Sequence, residues 1–266
     1  AVTQEDTAVT QFEAPSLARL RPALGGVPAY VAGKPAQPIE GLTTYKLSSN
    51  ENPYPPLPSV SEAITEAAAS VNRYPDMNNV ALKDAIAAFH GFAPENVAVG
   101  PGSTGVLVQL VQALCDPGDE VVFAWRSFEA YPIIVRLAGA TPVMVPLTAS
   151  GDHDLDAMAA AITERTKLVF VCTPNNPTGT LVTDAAARSF LAKVPADVVV
   201  VIDEAYVEFV RNPDAVASFA LQREYPNIVV TRTFSKAYGL AGLRVGYGLG
   251  HPALAEASAK TAIPFS

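Results

Sequence analysis

Two cysteines, three histidines and a single tryptophan in 266 residues leave several chemistries short of material. Cys115 and Cys172 both lie inside apolar runs and read as packed thiols of a reducing compartment, not as a disulfide framework. His90 follows a helical apolar face, and His153 and His251 sit beside turns. No spacing among them suggests a metal site, and no metal is expected. Positive charge is scarce as well. Eighteen Lys and Arg against 26 Asp and Glu give a net charge of −8, which argues against the basic face a nucleic acid would need. No apolar run approaches the roughly 18 residues of a membrane span. The first residues, with Glu5, Asp6 and Glu13, lack the basic start of a secretory signal. A cytoplasmic protein with no nucleic-acid or membrane partner is the expectation. What the chain has in quantity is apolar matter, 49% hydrophobic against 17% charged, enough to bury a sizeable core.

Residues 1–15 are polar, acidic and aperiodic, the pattern of a mobile tail. Over 17–40 proline and glycine recur, which favours an extended arm that packs on something else, a second subunit included. A helix is expected to about residue 70, capped by Ser59 or Ser61 and broken at Arg73-Tyr74-Pro75. A second helix should span 80–90, with Leu82, Ile86 and Phe89 at helical spacing. Beyond it short apolar runs alternate with helical ones. Strands are expected at 97–99, 120–123, 141–145, 168–172, 198–202, 228–230 and 244–249. Helices should end at about 114 and 162 and cover 131–138 and 181–193. Repeated units of this kind predict an α/β fold with a mainly parallel sheet of about seven strands flanked by helices, and right-handed crossovers. The domain reading is a tail and arm over 1–45 and one large domain over 46–266.

In such sheets ligands collect beyond the carboxyl ends of the strands. Five stretches fall there. Gly100-Pro101-Gly102-Ser103-Thr104-Gly105 opens a helix whose free N–H groups suit a phosphate, although such turns are common. Phe128 could stack on a flat heterocycle or belong to the core. Pro174-Asn175-Asn176-Pro177-Thr178-Gly179 fixes a turn that could present an asparagine amide, or could be only a turn. Asp203 ends a buried apolar run, where a carboxylate is costly unless paired; a protonated pyridine nitrogen would pair it, and Tyr206 could reach the ring hydroxyl. Thr233-Phe234-Ser235-Lys236, followed by Arg244, offers an amine that attacks carbonyls when neutral, beside hydroxyls and a guanidinium suited to phosphate.

Taken in chain order, these motifs resemble the fold type I pyridoxal phosphate (PLP) enzymes, and among them the class I/II aminotransferases. The resemblance covers roughly residues 47–265. Ser49-Asn50-Glu51-Asn52-Pro53, Arg73-Tyr74-Pro75 and Thr233-Phe234-Ser235-Lys236-Ala237 look like the histidinol-phosphate aminotransferase branch. Trp125-Arg126-Ser127-Phe128-Glu129 with Tyr131-Pro132 looks like the actinobacterial aromatic-amino-acid aminotransferases of that branch. The resemblance implies PLP as cofactor. In it Lys236 captures the aldehyde and shuttles a proton, Asp203 holds the ring nitrogen, and Tyr206 and Asn176 bond the ring oxygen. Phe128 stacks on the ring, and Gly102, Ser103, Thr104, Thr233, Ser235 and Arg244 bind the phosphate. Tyr74 reaches the phosphate of a neighbouring subunit, which implies a homodimer with shared sites. Tyr30 and Asn50 lie near the substrate.

In the family a C-terminal small domain carrying a substrate-clamping arginine follows the large domain. Here the sequence ends where the linker should begin, so the small domain is expected to be missing from this chain, either because the sequence is a fragment or because the protein lacks the clamp. PLP should then still bind, while turnover falls. The reaction implied is amino-group transfer from an aromatic L-amino acid to a 2-oxo acid. Rival readings are histidinol-phosphate aminotransfer, decarboxylation on the same scaffold, a non-catalytic PLP-binding regulator and a generic nucleotide-binding module.

Overall fold

The computed structural model describes residues 21–30, 37–46 and 48–265. The expected tail over 1–15 lies outside the described residues, as does part of the arm. The described parts of the arm are mostly exposed and irregular apart from one 3-10 turn, Pro22–Gly26.

Helix α1 (Pro58–Ala68) starts on Pro58, whose missing N–H costs nothing in a first turn. The expected Ser59 or Ser61 cap is corrected here: Leu57 holds the cap position with no side-chain bond, and proline sets the start instead. None of the residues of α1 is buried. Helix α2 (Val80–His90) closes on Gly91 at φ +69°, the left-handed cap that glycine adopts freely. Then follow β1 (Val97–Gly100), α3 (Gly102–Leu114), β2 (Glu120–Trp125), α4 (Tyr131–Ala138), β3 (Thr141–Pro146) and α5 (Leu155–Ala160). The remainder is β4 (Thr166–Cys172), α6 (Asp184–Leu191), β5 (Val199–Asp203), α7 (Ser218–Glu224), β6 (Ile228–Thr233), β7 (Gly246–Leu249) and α8 (Pro252–Lys260). The helix expected over 181–193 is shorter because Thr183 caps it, accepting from the Ala186 N–H. Helices α7 and α8 had no counterpart in the sequence reading.

The seven strands form one sheet in the order β1-β7-β6-β5-β4-β2-β3. Strands β2 to β6 are mutually parallel, and β7 runs antiparallel to both β6 and β1. The segment 234–245 between β6 and β7 holds only a 3-10 turn, so no helical crossover returns the chain to a parallel start.

Both faces of the sheet are covered, which explains why β2, β4 and β5 read as continuous apolar runs. Alternation then sorts their side chains. Val121, Phe123, Leu168, Phe170, Cys172, Val199 and Val201 enter the core that includes α3, α4 and α8. Val122, Ala124, Val169, Val171, Val200 and Ile202 enter the opposite core with α5, α6 and α7. Each fully buried Val or Phe stabilises by about 1.5–3 kcal/mol relative to an exposed one. Asp203 continues the parity of Val199 and Val201, so its carboxylate leaves the strand on the α3–α4 face.

Gly246 holds β7 against the start of α3, because a β-carbon there would collide with the Ser103 nitrogen and the Gly102 carbonyl carbon. Gly246→Ala is expected to lower stability by about 1–3 kcal/mol or more through backbone displacement. A fall in the urea midpoint with unchanged m-value measures it; an unchanged midpoint would contradict the packing argument.

Candidate active site

The loops after β1, β2, β4, β5 and β6 open on one cleft of about 900 Å³. It brings together Tyr30, Asn50, Gly102, Ser103, Thr104, Phe128, Asn176, Asp203, Tyr206, Thr233, Ser235, Lys236 and Arg244. Of the residues expected at a site, Tyr74 alone is not in that lining. It is 82% exposed, and its ring stacks on Phe265 at 4.6 Å.

Asp203 sits at the floor with 3% of its surface exposed. Tyr131 donates its hydroxyl to Oδ2 at 2.7 Å and Thr231 donates to Oδ1 at 3.1 Å. Burial raises the pKa of the carboxyl, and the two donors oppose that only in part. Among the described residues no basic side chain forms an ion pair with it.

Lys236 lies in the same cleft. Its Nζ donates to the Ser49 carbonyl at 3.0 Å and the Asn50 carbonyl at 3.4 Å, and it stands 5.6 Å from the centre of the Tyr206 ring. Desolvation lowers the pKa of the amine below its usual value; Glu51 works against this and Arg244 with it. Asn50, at φ +51°, donates from Nδ2 to the Tyr206 hydroxyl at 3.0 Å. Burial pushes the Tyr206 phenol up, so it remains protonated at neutral pH.

At the opposite wall α3 begins without any side-chain cap, so its first N–H groups stay free for an anion. Gly102 has φ +74°, and a β-carbon there would stand 2.6 Å from Arg244 Nη2. Arg244, itself at φ +53°, donates from Nη1 to the Ser235 hydroxyl at 3.3 Å. Thr233 Oγ1 donates to Ser235 Oγ at 2.9 Å. Helix N–H groups, hydroxyls and one guanidinium thus converge where only glycine leaves room.

These groups fit PLP. A buried acid without a cation partner would accept a protonated ring nitrogen, an amine with lowered pKa suits an aldehyde, and the glycine-lined cradle suits a phosphate. Phe128 is half-buried in the cleft wall, where it could cover the face of a ring.

Several residues that shape the site were not picked out from sequence as site residues. Tyr131 is one, although it stands three residues after Phe128 in the motif already singled out. Ser127 donates to Asn175 Oδ1 at 2.6 Å, and Asn175 Nδ2 donates to the Arg126 carbonyl at 3.2 Å and to Thr178 Oγ1 at 2.8 Å. Those bonds tie the loop after β4 to the loop after β2. Among the described residues no cluster of His, Cys, Asp or Glu could hold a metal ion, and no helix is long and apolar enough to cross a membrane.

Residues 43–266 match the family model described as aminotransferase class I and II. The chain is 57% identical over 247 residues to an aromatic amino acid aminotransferase of Streptomyces avermitilis, covering 93% of this chain and 68% of that protein. It is 56% identical over 246 residues to the protein of that name in Corynebacterium diphtheriae, covering 92% and 70%. Among solved structures it is similar to a histidinol-phosphate aminotransferase from Sinorhizobium meliloti in complex with pyridoxal-5′-phosphate. That match has a TM-score of 0.75 and 36% identity over 80% of this chain and 57% of that one. An aspartate aminotransferase from Thermus thermophilus with maleate matches with a TM-score of 0.69 and 28% identity, over 82% and 61%. The chain therefore spans about two thirds of the length of these curated relatives and less of the solved chains.

The lowered Lys236 pKa has a consequence for stability. The folded chain releases that proton more readily than the unfolded one, so stability rises as pH climbs from the lowered value toward the ordinary 10.5. Lys236→Met removes the contribution. Without cofactor, wild type should gain urea resistance relative to the variant as pH rises toward about 10.5, and a flat difference would contradict it.

Proposed function

Because the chain belongs to the class I and II aminotransferase family, we propose that it transfers the amino group of an aromatic L-amino acid to a 2-oxo acid with PLP. The observation that carries this is the presence, in one cleft, of a buried acid with no cation partner among the described residues and an amine with lowered pKa, Asp203 and Lys236. Bound PLP supplies an aldehyde carbon and a protonated ring that draws electrons from the α-carbon of the substrate.

Lys236 Nζ would hold the aldehyde carbon until the substrate amine displaces it, and the freed amine would carry the proton that leaves the α-carbon. Asp203 would pair the protonated ring nitrogen, Tyr206 and Asn176 would bond the ring oxygen, and Phe128 would cover one face. Gly102, Ser103, Thr104, Thr233, Ser235 and Arg244 bind the phosphate. Asn50 and Tyr30 approach the substrate from the cleft mouth. In this reading residues 46–266 are the cofactor-binding domain, residues 1–45 are an arm, and the protein works in the cytoplasm. Similarity to the histidinol-phosphate aminotransferase structure supports a second reading, with histidinol phosphate as donor.

The protein acts as a homodimer. Helix α1 has no buried residue, and Tyr54, Leu57, Val71, Tyr74 and Met77 are exposed beside it. Tyr74 then reaches the phosphate of the second subunit. Sedimentation should give twice the 27.9 kDa chain mass, and Tyr74→Phe should weaken PLP retention. A monomer that retains PLP fully would remove both statements.

Addition of PLP should produce a visible band of the bound cofactor that Lys236→Ala abolishes. Asp203→Asn should weaken PLP binding at least tenfold, the order expected for a lost bond to a charged group. Phenylalanine, tyrosine and histidinol phosphate, each supplied as sole donor, should be ranked by how fast they bleach that band. Fastest bleaching by histidinol phosphate would replace the aromatic reading with its rival.

A further inference from the structure

We propose that Tyr131 is a positioning residue for the proposed reaction: its hydroxyl aims Asp203 and its ring sets Phe128, so one buried side chain fixes both the edge and the face on which the cofactor ring is held. The inference rests on the functional reading above and adds a residue to it.

Tyr131 has no exposed surface. It opens α4, and Pro132 stiffens the first turn. Its ring packs against Phe123 of β2 at 5.5 Å and Phe170 of β4 at 4.9 Å, rings on two neighbouring strands. A ring clamped from the sheet in this way cannot swing without opening the core. On its free side it meets Phe128 edge-on, with centres 5.6 Å apart and planes at 90°. That geometry is favourable for an aromatic pair and fixes the tilt of Phe128.

The hydroxyl acts on Asp203. With the 2.7 Å bond from Tyr131 on Oδ2 and the 3.1 Å bond from Thr231 on Oδ1, each carboxylate oxygen holds one donor and keeps capacity to accept another. Burial and the neighbouring Asp203 and Cys172 push the Tyr131 phenol far above its ordinary range. It therefore stays an O–H donor, and its bond to Asp203 keeps one direction. Cys172 of β4 and Tyr206 are the other titratable groups beside Asp203, and both are held in their neutral forms. The hydroxyls of Tyr131 and Thr231 are thus what favour the charged carboxylate before any ligand arrives.

Wild type, Tyr131→Phe, Tyr131→Leu and Thr231→Val, each stripped of cofactor, can be titrated with PLP by Trp125 fluorescence and by the visible band. Tyr131→Phe keeps the ring and loses the donor. It should weaken PLP binding roughly tenfold to a hundredfold, as for loss of a bond to a charged group. It should also move the pH midpoint of the visible band upward, because a less firmly held ring proton makes the ring a weaker electron sink. Thr231→Val should act in the same direction but less, its bond being longer. Tyr131→Leu should add a loss of the circular dichroism of the bound cofactor through a freed Phe128. Wild-type affinity and midpoint in Tyr131→Phe would overturn the inference. If that variant fails to fold, an unmoved midpoint in Thr231→Val does the same. Wild type that takes up no PLP overturns this inference and the functional reading together, whereas normal wild-type uptake with an unaltered Tyr131→Phe overturns this inference alone.

Discussion

A carboxylate buried at the end of a parallel strand, held by two hydroxyls and faced by no cation among the described residues, is the constraint on which this structure turns. Burying an unpaired charge is costly, and a group so placed raises its pKa instead of staying ionised. The sheet nonetheless delivers Asp203 there. It is the last residue of β5, in register with Cys172 on one side and Thr231 on the other. Two packed cores hold β5 in that register, and the parity of the strand decides which face receives the carboxylate.

The next residue shows the alternative solution. Glu204 is 2% exposed, yet it accepts from Arg232 Nε at 2.8 Å and Nη2 at 2.7 Å, and from the Ser218 hydroxyl. The guanidinium in turn lies over the Phe219 ring at 4.3 Å. Removing one partner of such a pair costs about 3–5 kcal/mol, because the other charge is stranded. The Glu204 pair therefore behaves as structure, locking the loop after β5 to β6. Among the described residues Asp203 has no such partner, and that difference sets the two adjacent acids apart.

Much of this could be read in the chain before any coordinates. Alternating apolar runs gave the strands, and helices α2 and α4 begin and end at the expected residues. Lys236, Asp203, Tyr206, Ser103 and Arg244 lie in one cleft because their motifs follow strands of one sheet. What could not be read was long-range pairing. Tyr131 looked like a helix residue, and nothing local indicates that its hydroxyl meets an acid 72 positions later. Glu204 and Arg232 likewise become partners only through β5–β6 pairing. The start of α1 is set by a residue that precedes its competent caps: Ser59 and Ser61 could cap a helix, but Pro58 stands earlier and fits a first turn.

Asp203 and Lys236 are driven by the same burial in opposite senses, the acid upward and the amine downward, so each is pushed toward its neutral form. Neutral forms suit them differently. A neutral amine can attack an aldehyde at once, whereas a neutral acid would be useless as partner to a ring cation. Lys236 Nζ donates to two backbone carbonyls. Asp203 has two O–H donors, which favour its anion. Those donors thus bias the acid toward charge, whereas Glu51 and Arg244 act on the amine in opposite senses. A cation arriving at Asp203 would favour its anion further. Binding of such a cation would be linked to folding through Asp203, with the stability gained set by its concentration over its dissociation constant.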